Sequence, residues 1–208
     1  MLIETVVVGP FEVNCYIVHD AGTKAGVIID PGGDEPNILE RIIEREISPK
    51  AILLTHGHGD HIAAVSGLKN RFHIPLYIGK EDKEMLASPA ANISEIFGYE
   101  IICPPPDYLI EDNDIINVGG FRFTVFGTPG HTPGGVCYYI GKFLFCGDTL
   151  FYGSIGRADL PGSNYQQLID SIKKNILTLP DDVICYPGHG PLTTVGTERR
   201  TNPFLTGI

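Results

Sequence analysis

One seven-residue stretch constrains this chain more than any other feature, because it concentrates three histidines and an aspartate within six positions. It reads Thr-His-Gly-His-Gly-Asp-His and runs from Thr55 to His61. Imidazole and carboxylate groups suit zinc, iron and related ions, and the small intervening residues let the backbone fold tightly around an ion. A loop with merely solvated histidines is the alternative, and the density of ligand-type side chains argues against it. We therefore interpret the stretch as a metal-binding turn.

The flanking sequence places this turn between a strand and a helix. Residues 50–54 form an apolar run with the length and branching of a buried strand. Apolar residues then recur with helical spacing at Ile62, Val65, Leu68 and Phe72. In an extended chain His56 and His58 project to the same side, so both can reach one ion. Asp60 and His61 lie where the helix begins, and we expect them to be turned towards a neighbouring metal position.

The composition is that of an acidic globular protein with enough apolar material for one sizeable core. Of its 208 residues, 43% are hydrophobic and 19% are charged. The 25 acidic and 15 basic residues give a net charge of −10 without any basic run, which argues against nucleic acid and anionic membranes as partners. No stretch has the roughly 18 apolar residues of a membrane span, and the N-terminus lacks the positive start of a signal peptide.

The cysteines point to a reducing compartment. There are five of them, they are scattered along the sequence and they form no CxxC pair. Reduced thiols in a cytoplasmic protein fit this distribution best. We expect each cysteine to be a small buried apolar side chain. Their positions are Cys15, Cys103, Cys137, Cys146 and Cys185.

The rest of the chain predicts strands and helices, followed by further strands and one more helix. Predicted strands cover residues 2–8, 14–19, 26–30, 50–54, 75–78, 121–126, 136–140, 143–146 and 183–186. Asp34 is the predicted cap of one helix, and Ser163 with Gln166 resembles a capping box for another. Residues 79–98 have a weak helical pattern, and residues 101–114 are expected to form a surface loop. This order suits two packed sheets with helices outside, in a single domain over residues 1–208.

Three further positions repeat the arrangement of a strand followed by a ligand-type residue among glycines. They are His131, Asp148 and His189. Strand ends on one edge of a sandwich lie close together, so we expect these side chains to meet the histidine-rich turn. The combined set of five histidines and two aspartates is enough for two ions that share a bridging carboxylate. The remaining histidines, His19 and His73, lack that setting, and His73 is expected to be structural.

The combined pattern resembles the metallo-β-lactamase superfamily, whose mark is the HxHxDH motif found here from His56 to His61. The resemblance continues through the three later positions and covers most of the chain. It implies an α/β fold, namely an αββα four-layer sandwich of two mixed β-sheets with helices on the outer faces. It also implies that one ion is bound by His56, His58 and His131, a second by Asp60, His61 and His189, and both by a bridging Asp148.

Within that superfamily the chain is most similar to glyoxalase II-like hydrolases, which cleave thioesters of glutathione such as S-lactoylglutathione. The similar stretches are residues 147–151 with 156–157, and residues 187–191 with 198–199 and 202–204. The resemblance implies a small-molecule thioester substrate and two divalent cations, with zinc as the first candidate and iron or manganese as alternatives. Such cations lower the pKa of a bridging water and stabilise the charge on the attacked carbonyl. Asp60 is then the catalytic residue that orients the hydroxide and takes up its proton.

Recognition of the thiol part of the substrate is the less defined half of this prediction. Arg157 is the candidate for holding a substrate carboxylate, because a guanidinium can grip both oxygens; a surface salt bridge with Asp159 is the alternative. Asp159 also stands where the family usually offers a tyrosine to the substrate. Only 19 residues (208 − 189) follow His189, whereas typical glyoxalase II chains continue into a helical domain. We expect a short hydrolase with a more open pocket, as a monomer or a dimer.

Two other functions remain open at this point. One is a persulfide dioxygenase with a single iron, because residues 156–159 resemble its GRxD stretch, although residues 188–191 have the glyoxalase form. The other is a metal-binding scaffold without turnover, which the complete ligand set disfavours. Nuclease relatives use extra domains and a basic surface that this chain lacks, and the missing signal peptide argues against an exported lactamase.

Overall fold

The computed structural model describes residues 1–206, in which the strands form two six-stranded sheets and a small hairpin. The first sheet is mixed, with its three N-terminal strands antiparallel and the following strands parallel. In spatial order it contains β1 (Leu2–Val8), β2 (Val13–His19), β3 (Ala25–Ile29), β4 (Ser48–Leu53), β5 (Leu76–Gly79) and β6 (Tyr108–Ile110).

The second sheet is also mixed, because one parallel pair joins two otherwise antiparallel segments. In spatial order it contains β7 (Ile115–Val118), β8 (Phe121–Gly127), β9 (Val136–Ile140), β10 (Phe143–Gly147), β13 (Ile184–Pro187) and β14 (Thr193–Thr194). The parallel pair is β10 with β13. A separate two-stranded hairpin consists of β11 (Leu150–Phe151) and β12 (Ser154–Ile155).

Helices lie outside both sheets. They are α1 (Glu35–Glu44), α2 (Gly59–Ile62), α3 (Val65–Phe72), α4 (Tyr165–Ser171) and α5 (Val195–Thr201). Two 3₁₀ helices cover Lys80–Ala87 and Ser94–Phe97, and a π-helical stretch over Ile172–Ile176 extends α4. Within residues 1–206, no helix is long and apolar enough to cross a bilayer.

Successive residues of the central strands alternate between two apolar cores, because each sheet is covered on both faces. In β4, Leu53 packs between the two sheets, whereas Ile52 packs outward with Ile38 of α1 and Leu68 of α3. A third core lies beyond the second sheet, where Leu168 of α4 is buried. The layers are therefore helix, sheet, sheet and helix, which confirms the predicted αββα sandwich of two mixed sheets.

Three local predictions in the first half of the chain need correction. Asp34 stands at the start of α1 in a left-handed conformation with φ 42°, and its carboxylate does not cap the helix but accepts a hydrogen bond from the Gly9 N–H. The single helix predicted after the histidine-rich turn is split into α2 and α3. The loop predicted over residues 101–114 contains β6, which pairs with β5 and lies at the edge of the first sheet.

Two buried tyrosines join the sheets through reciprocal hydrogen bonds. Tyr16 on β2 donates its hydroxyl to the Pro187 carbonyl oxygen on β13, over 2.6 Å. Tyr138 on β9 donates to the Leu54 carbonyl oxygen, just after β4, also over 2.6 Å. Each acceptor lies two residues before a histidine of the predicted site. These bonds therefore fix the ends of the strands that carry His56 and His189.

We expect Tyr138→Phe to lower the free energy of unfolding by about 1 to 3 kcal/mol, because the buried Leu54 carbonyl loses its hydroxyl donor. Urea denaturation followed by circular dichroism measures the change. Tyr139→Phe is the matched control, since this half-buried neighbour lies on the same strand and its hydroxyl makes no hydrogen bond within residues 1–206. Equal unfolding midpoints for the two variants would contradict the assigned role of Tyr138.

Candidate metal centre

The seven predicted ligand residues all follow strands that end at one edge of the sandwich. His56 and His58 follow β4, and the chain then enters α2 at Asp60 and His61. The other three residues follow strands of the second sheet: His131 after β8, Asp148 after β10 and His189 after β13. The close approach of these strand ends brings the seven side chains together.

The ligand-type atoms form two groups, and in each group they lie within 4.8 Å of one another. One group is His56, His58 and His131, and the other is Asp60, His61 and His189. Asp148 lies between them. Its Oδ1 is 3.3 Å from Nε2 of His61, and its Oδ2 is 3.6 Å from Nε2 of both His131 and His189. The structure therefore brings together the residues that the resemblance assigns to each ion, and the binding of ions by them stays a prediction.

Main-chain carbonyls orient two of the imidazoles. Nδ1 of His131 lies 2.8 Å from the Arg157 carbonyl oxygen, and Nδ1 of His189 lies 2.8 Å from the Phe11 carbonyl oxygen. Each ring donates from Nδ1 and so presents Nε2 to the other ligand-type atoms.

The predicted cap of α4 also needs correction. Ser163 does not cap this helix, because its hydroxyl donates to the His131 carbonyl oxygen. The cap is Asn164, one residue later than predicted.

Asp30 is a functional residue that the sequence analysis missed. Its carboxylate accepts hydrogen bonds from Thr55 N (2.7 Å) and Thr55 Oγ1 (2.6 Å), and its Oδ2 lies 3.0 Å from Nδ1 of His61. With His56 and His61 it forms a third cluster of ligand-type atoms, but its oxygens are already engaged by these donors. Asp30 therefore orients His61 and the start of the turn. The available signal was its place directly after β3 and before Pro-Gly-Gly.

Asp82 is a second buried carboxylate, and it connects two loops of the site through hydrogen bonds. It accepts hydrogen bonds from Gly57 N (3.0 Å), Thr132 Oγ1 (2.7 Å) and Gly134 N (2.6 Å). These bonds join the histidine-rich turn to the loop that carries His131. Burial raises the pKa of Asp82 and outweighs the opposing effect of the three donors. Its sequence neighbourhood, a weak helical pattern, gave no signal for this role.

The glycine before His189 allows the second group to close. A Cβ on Gly188 would collide with Oδ1 of Asp148 and would lie 2.7 Å from Cε1 of His61. Any side chain at this position would push the strand end away from the centre. This close approach explains the ligand-next-to-glycine pattern seen in the sequence.

Two buried atoms at the centre, Nε2 of His56 and Oδ1 of Asp148, make no well-aligned hydrogen bond among the described residues, although Oδ1 of Asp148 lies 3.3 Å from Nε2 of His61. Nε2 of His58 also has no partner there, and the other nitrogen of this ring, Nδ1, lies 2.9 Å from Nε2 of His131. A buried polar atom without a partner costs free energy, so each such atom in a native structure calls for an explanation. Coordination of a cation satisfies an imidazole nitrogen or a carboxylate oxygen, and this donor set suits zinc, iron or manganese. The residues present therefore fit a pair of divalent cations.

The imidazoles of His56 and His58 differ in pKa from that of His61. Burial lowers the pKa of His56 well below its usual range and the pKa of His58 to about 3, and neighbouring imidazoles add to the effect. Burial also opposes a charge on His61, but Asp148 and Asp60 outweigh it and raise the pKa of that imidazole. Burial raises the pKa of these two carboxyls in turn, yet His61 reverses the effect and lowers both. The carboxylates thus stay ionised at neutral pH, and a cation can replace the proton on His61.

Arg157 lies at the rim of the site and pairs with Asp159. Its Nε and Nη2 atoms are each 2.9 Å from a carboxylate oxygen of Asp159. The two side chains are 64% and 70% exposed, so the surface salt bridge considered in the sequence analysis is present. Arg157 also contributes its carbonyl oxygen to the centre, where it accepts the hydrogen bond from His131. Substrate binding by its guanidinium stays a prediction.

A cavity of about 560 Å³ opens in front of the centre. Its floor includes His58, Asp60, Asp148 and His189, and its walls include Phe11, Ile93, Phe97, Phe151 and Leu160. This size and mixture of a few polar groups with apolar walls are typical of small-molecule sites. The cavity gives a substrate direct access to both groups of ligand-type atoms.

Comparison with known proteins agrees with this architecture. Residues 8–189 match the family model of the metallo-beta-lactamase superfamily, and the chain belongs to that superfamily. The hydroxyacylglutathione hydrolase GloC of Haemophilus influenzae is 39% identical over 209 residues, which cover 99% of this chain and 98% of that protein. The resemblance predicted from the sequence is therefore confirmed.

Two solved structures are similar over nearly their whole length. The crystal structure of BLEG-1 B3 metallo-beta-lactamase matches with a TM-score of 0.95 and 42% identity, covering 99% of this chain and all (100%) of that one. The crystal structure of TTHA1623 in a di-iron-bound form matches with a TM-score of 0.87 and 38% identity, covering 97% and 100%. Both support the fold, and the second is a relative with two metal ions.

We expect Asp30→Asn to weaken metal binding by about 10- to 100-fold, because an amide cannot replace the carboxylate that orients His61. Metal content per chain, measured after dialysis against graded chelator concentrations, tests this. Asp20→Asn is the control, since that carboxylate accepts hydrogen bonds from Gly22 N and Thr23 N in an exposed turn and does not line the cavity. A folded Asp30→Asn variant that keeps its metal as firmly as the control would contradict the orienting role.

Proposed function

We propose that this protein is a dinuclear metal-dependent hydrolase that cleaves a thioester, either S-lactoylglutathione or a related acyl-thiol. The observation that carries the proposal is the convergence of two imidazole-rich groups on Asp148, at the floor of a cavity. The similarity to the hydroxyacylglutathione hydrolase GloC, over almost the full length of both chains, supports thioester chemistry.

Seven side chains would hold the two cations. Our assignment gives the first ion to His56, His58 and His131, the second to Asp60, His61 and His189, and a shared position to Asp148. Zinc is our first candidate, and the di-iron form of TTHA1623 supports iron as an alternative. When bound, two such cations supply a water of lowered pKa and polarise the carbonyl of the substrate.

Asp60 is our candidate for the residue that orients the attacking water and takes up its proton. It lines the cavity, and its Oδ2 lies 3.5 Å from Nε2 of His189. Burial raises the pKa of Asp60, but His61 and His189 outweigh burial and lower it. The carboxylate is therefore ionised at neutral pH and can accept a proton. The thiolate of a thioester leaves readily, so no strong general acid is required.

Two observations favour other reactions at the same centre. The 42% identity to BLEG-1, described as a B3 metallo-beta-lactamase, makes β-lactam hydrolysis a second candidate. The Gly-Arg-Ala-Asp stretch at residues 156–159 keeps an iron-dependent persulfide dioxygenase as a third. The thioester proposal differs from both in requiring an acyl-thiol substrate, and from the dioxygenase also in requiring two metal ions.

Our proposal places the enzyme in the cytoplasm. All five cysteines are buried and carry free thiols. Such thiols persist most easily where the compartment is reducing. The cellular thiols to which acyl groups are attached are also kept reduced in that compartment.

We expect the metal-loaded protein to hydrolyse S-lactoylglutathione, and His58→Ala to lower kcat/KM by about 100-fold or more through loss of a ligand. Loss of thioester absorbance measures the rate, and elemental analysis measures the metal. His73→Ala is the control, because this residue ends α3 in a left-handed conformation outside the cavity. Normal rates in His58→Ala would refute the mechanism. If the protein cleaves only β-lactams, the second candidate function is correct instead. If it takes up oxygen with glutathione persulfide and binds one iron per chain, the third candidate is correct instead.

A further inference from the structure

The cavity has an apolar wall, which we define as Phe11, Ile93 and Phe97. Phe11 lies in the turn between β1 and β2, and the other two residues belong to the segment around the second 3₁₀ helix. The rings of Phe11 and Phe97 meet edge to face, with centroids 4.7 Å apart. Both side chains remain partly open to solvent, at 38% and 47% exposure. A large apolar surface beside a polar centre is typical of a binding site.

Ile93 is held in a strained conformation. Its φ of 58° and ψ of 6° lie in the left-handed region, which β-branched residues rarely occupy. Such strain persists only where the surroundings enforce it, and it concentrates at functional sites. The side chain is 7% exposed and lines the cavity. The left-handed backbone therefore costs free energy locally, and it keeps an apolar side chain at this position.

The side chain of Asn92 enforces this conformation. It donates to the Met85 and Ile101 carbonyl oxygens, each over 2.9 Å, and accepts from Ser94 N over 3.1 Å. Asn92 itself is fully buried. With its amide bonded in this way, the backbone on both sides of Ile93 is fixed.

Both halves of the apolar wall are tied to the metal centre through the main chain. The Asn92 carbonyl oxygen accepts a hydrogen bond from Gly59 N over 2.8 Å, in the turn between His58 and Asp60. The Phe11 carbonyl oxygen accepts from Nδ1 of His189 over 2.8 Å. The apolar wall therefore stands at a fixed distance from the reacting position, as a surface that selects substrates must.

The charges around the cavity point to an apolar ligand group. Arg157 is the single arginine among the lining residues, which include no lysine, and its guanidinium is already paired with Asp159. The lining also carries the acidic side chain of Asp34, whereas the charges of Asp60 and Asp148 are offset by the cations assigned to them. The described lining therefore offers one cationic side chain, paired at the exposed rim, to the two carboxylates of a glutathione moiety. Recognition then depends on the apolar wall.

We propose that the apolar wall binds the acyl group of the thioester, so that the enzyme prefers apolar acyl chains of several carbons to the polar lactoyl group. This inference rests on the proposed function. Cellular thiols that carry acyl groups are polar, which leaves the acyl chain as the part that matches the wall. The reaction is ordinary hydrolysis: the C–S bond breaks, a C–O bond forms from water, and the products are a carboxylic acid and a thiol.

The test is a series of glutathione thioesters with lactoyl, acetyl, butyryl and hexanoyl groups, assayed with the metal-loaded full chain. We expect kcat/KM to rise about threefold to fourfold per added methylene, the ratio for complete burial of each group. A flat series, or one in which the lactoyl ester is best, would overturn the inference and leave the proposed function intact. If a protein with two bound metals cleaves no thioester at all, the proposed function fails and the inference with it.

Substitutions in the apolar wall locate the effect. Phe97→Ala is expected to lower the ratio of hexanoyl to acetyl kcat/KM by about fivefold, as half-burial of an aromatic side chain allows. Phe204→Ala, an exposed phenylalanine outside the cavity lining, is the matched control and should keep the ratio. Ile93→Gly removes apolar surface but relieves the strained φ, so we expect a lower ratio in a chain that still folds. An unchanged ratio in both wall variants would refute the role of the wall.

Discussion

The hydrogen bonds that fix the two sheets against each other at one edge are the interaction on which the rest of the structure depends. Ligand-type residues come from both sheets, so the centre exists only if the strand ends bring their atoms within a few ångströms of one another, as they do here. Tyr16 and Tyr138 each cross from one sheet to the carbonyl of the other, just before His189 and His56. Asn14 adds a third connection, since its side chain donates to the Pro187 and Gly190 carbonyls on either side of His189.

The same contacts that orient the ligands also shape the cavity. The carbonyl that positions His189 belongs to Phe11, whose ring forms part of the apolar wall. The carbonyl that positions His131 belongs to Arg157 at the rim. A displacement of either loop would therefore change metal binding and substrate access together.

The sequence predicted those parts of the site that can be recognised from residues adjacent in sequence. Six of the seven ligand-type residues stand beside glycines, His61 follows them directly in the motif, and that pattern is visible without a fold. The supporting residues are different, because their roles depend on distant partners: Asp30 reaches His61, and Asp82 reaches Thr132, from 31 and 50 positions away. Short elements were missed for a similar reason. The three residues of β6 carry no periodicity of their own and become a strand by pairing with β5.

The central claim is that seven side chains from both sheets enclose a pair of cations at this edge. The most direct measurement is a crystal structure of the metal-loaded protein with anomalous scattering recorded at the absorption edge of the metal. The account predicts two peaks about 3.5 to 4 Å apart, one beside each imidazole-rich group, with Asp148 in contact with both. A single peak, or peaks distant from Asp148 and His189, would contradict it.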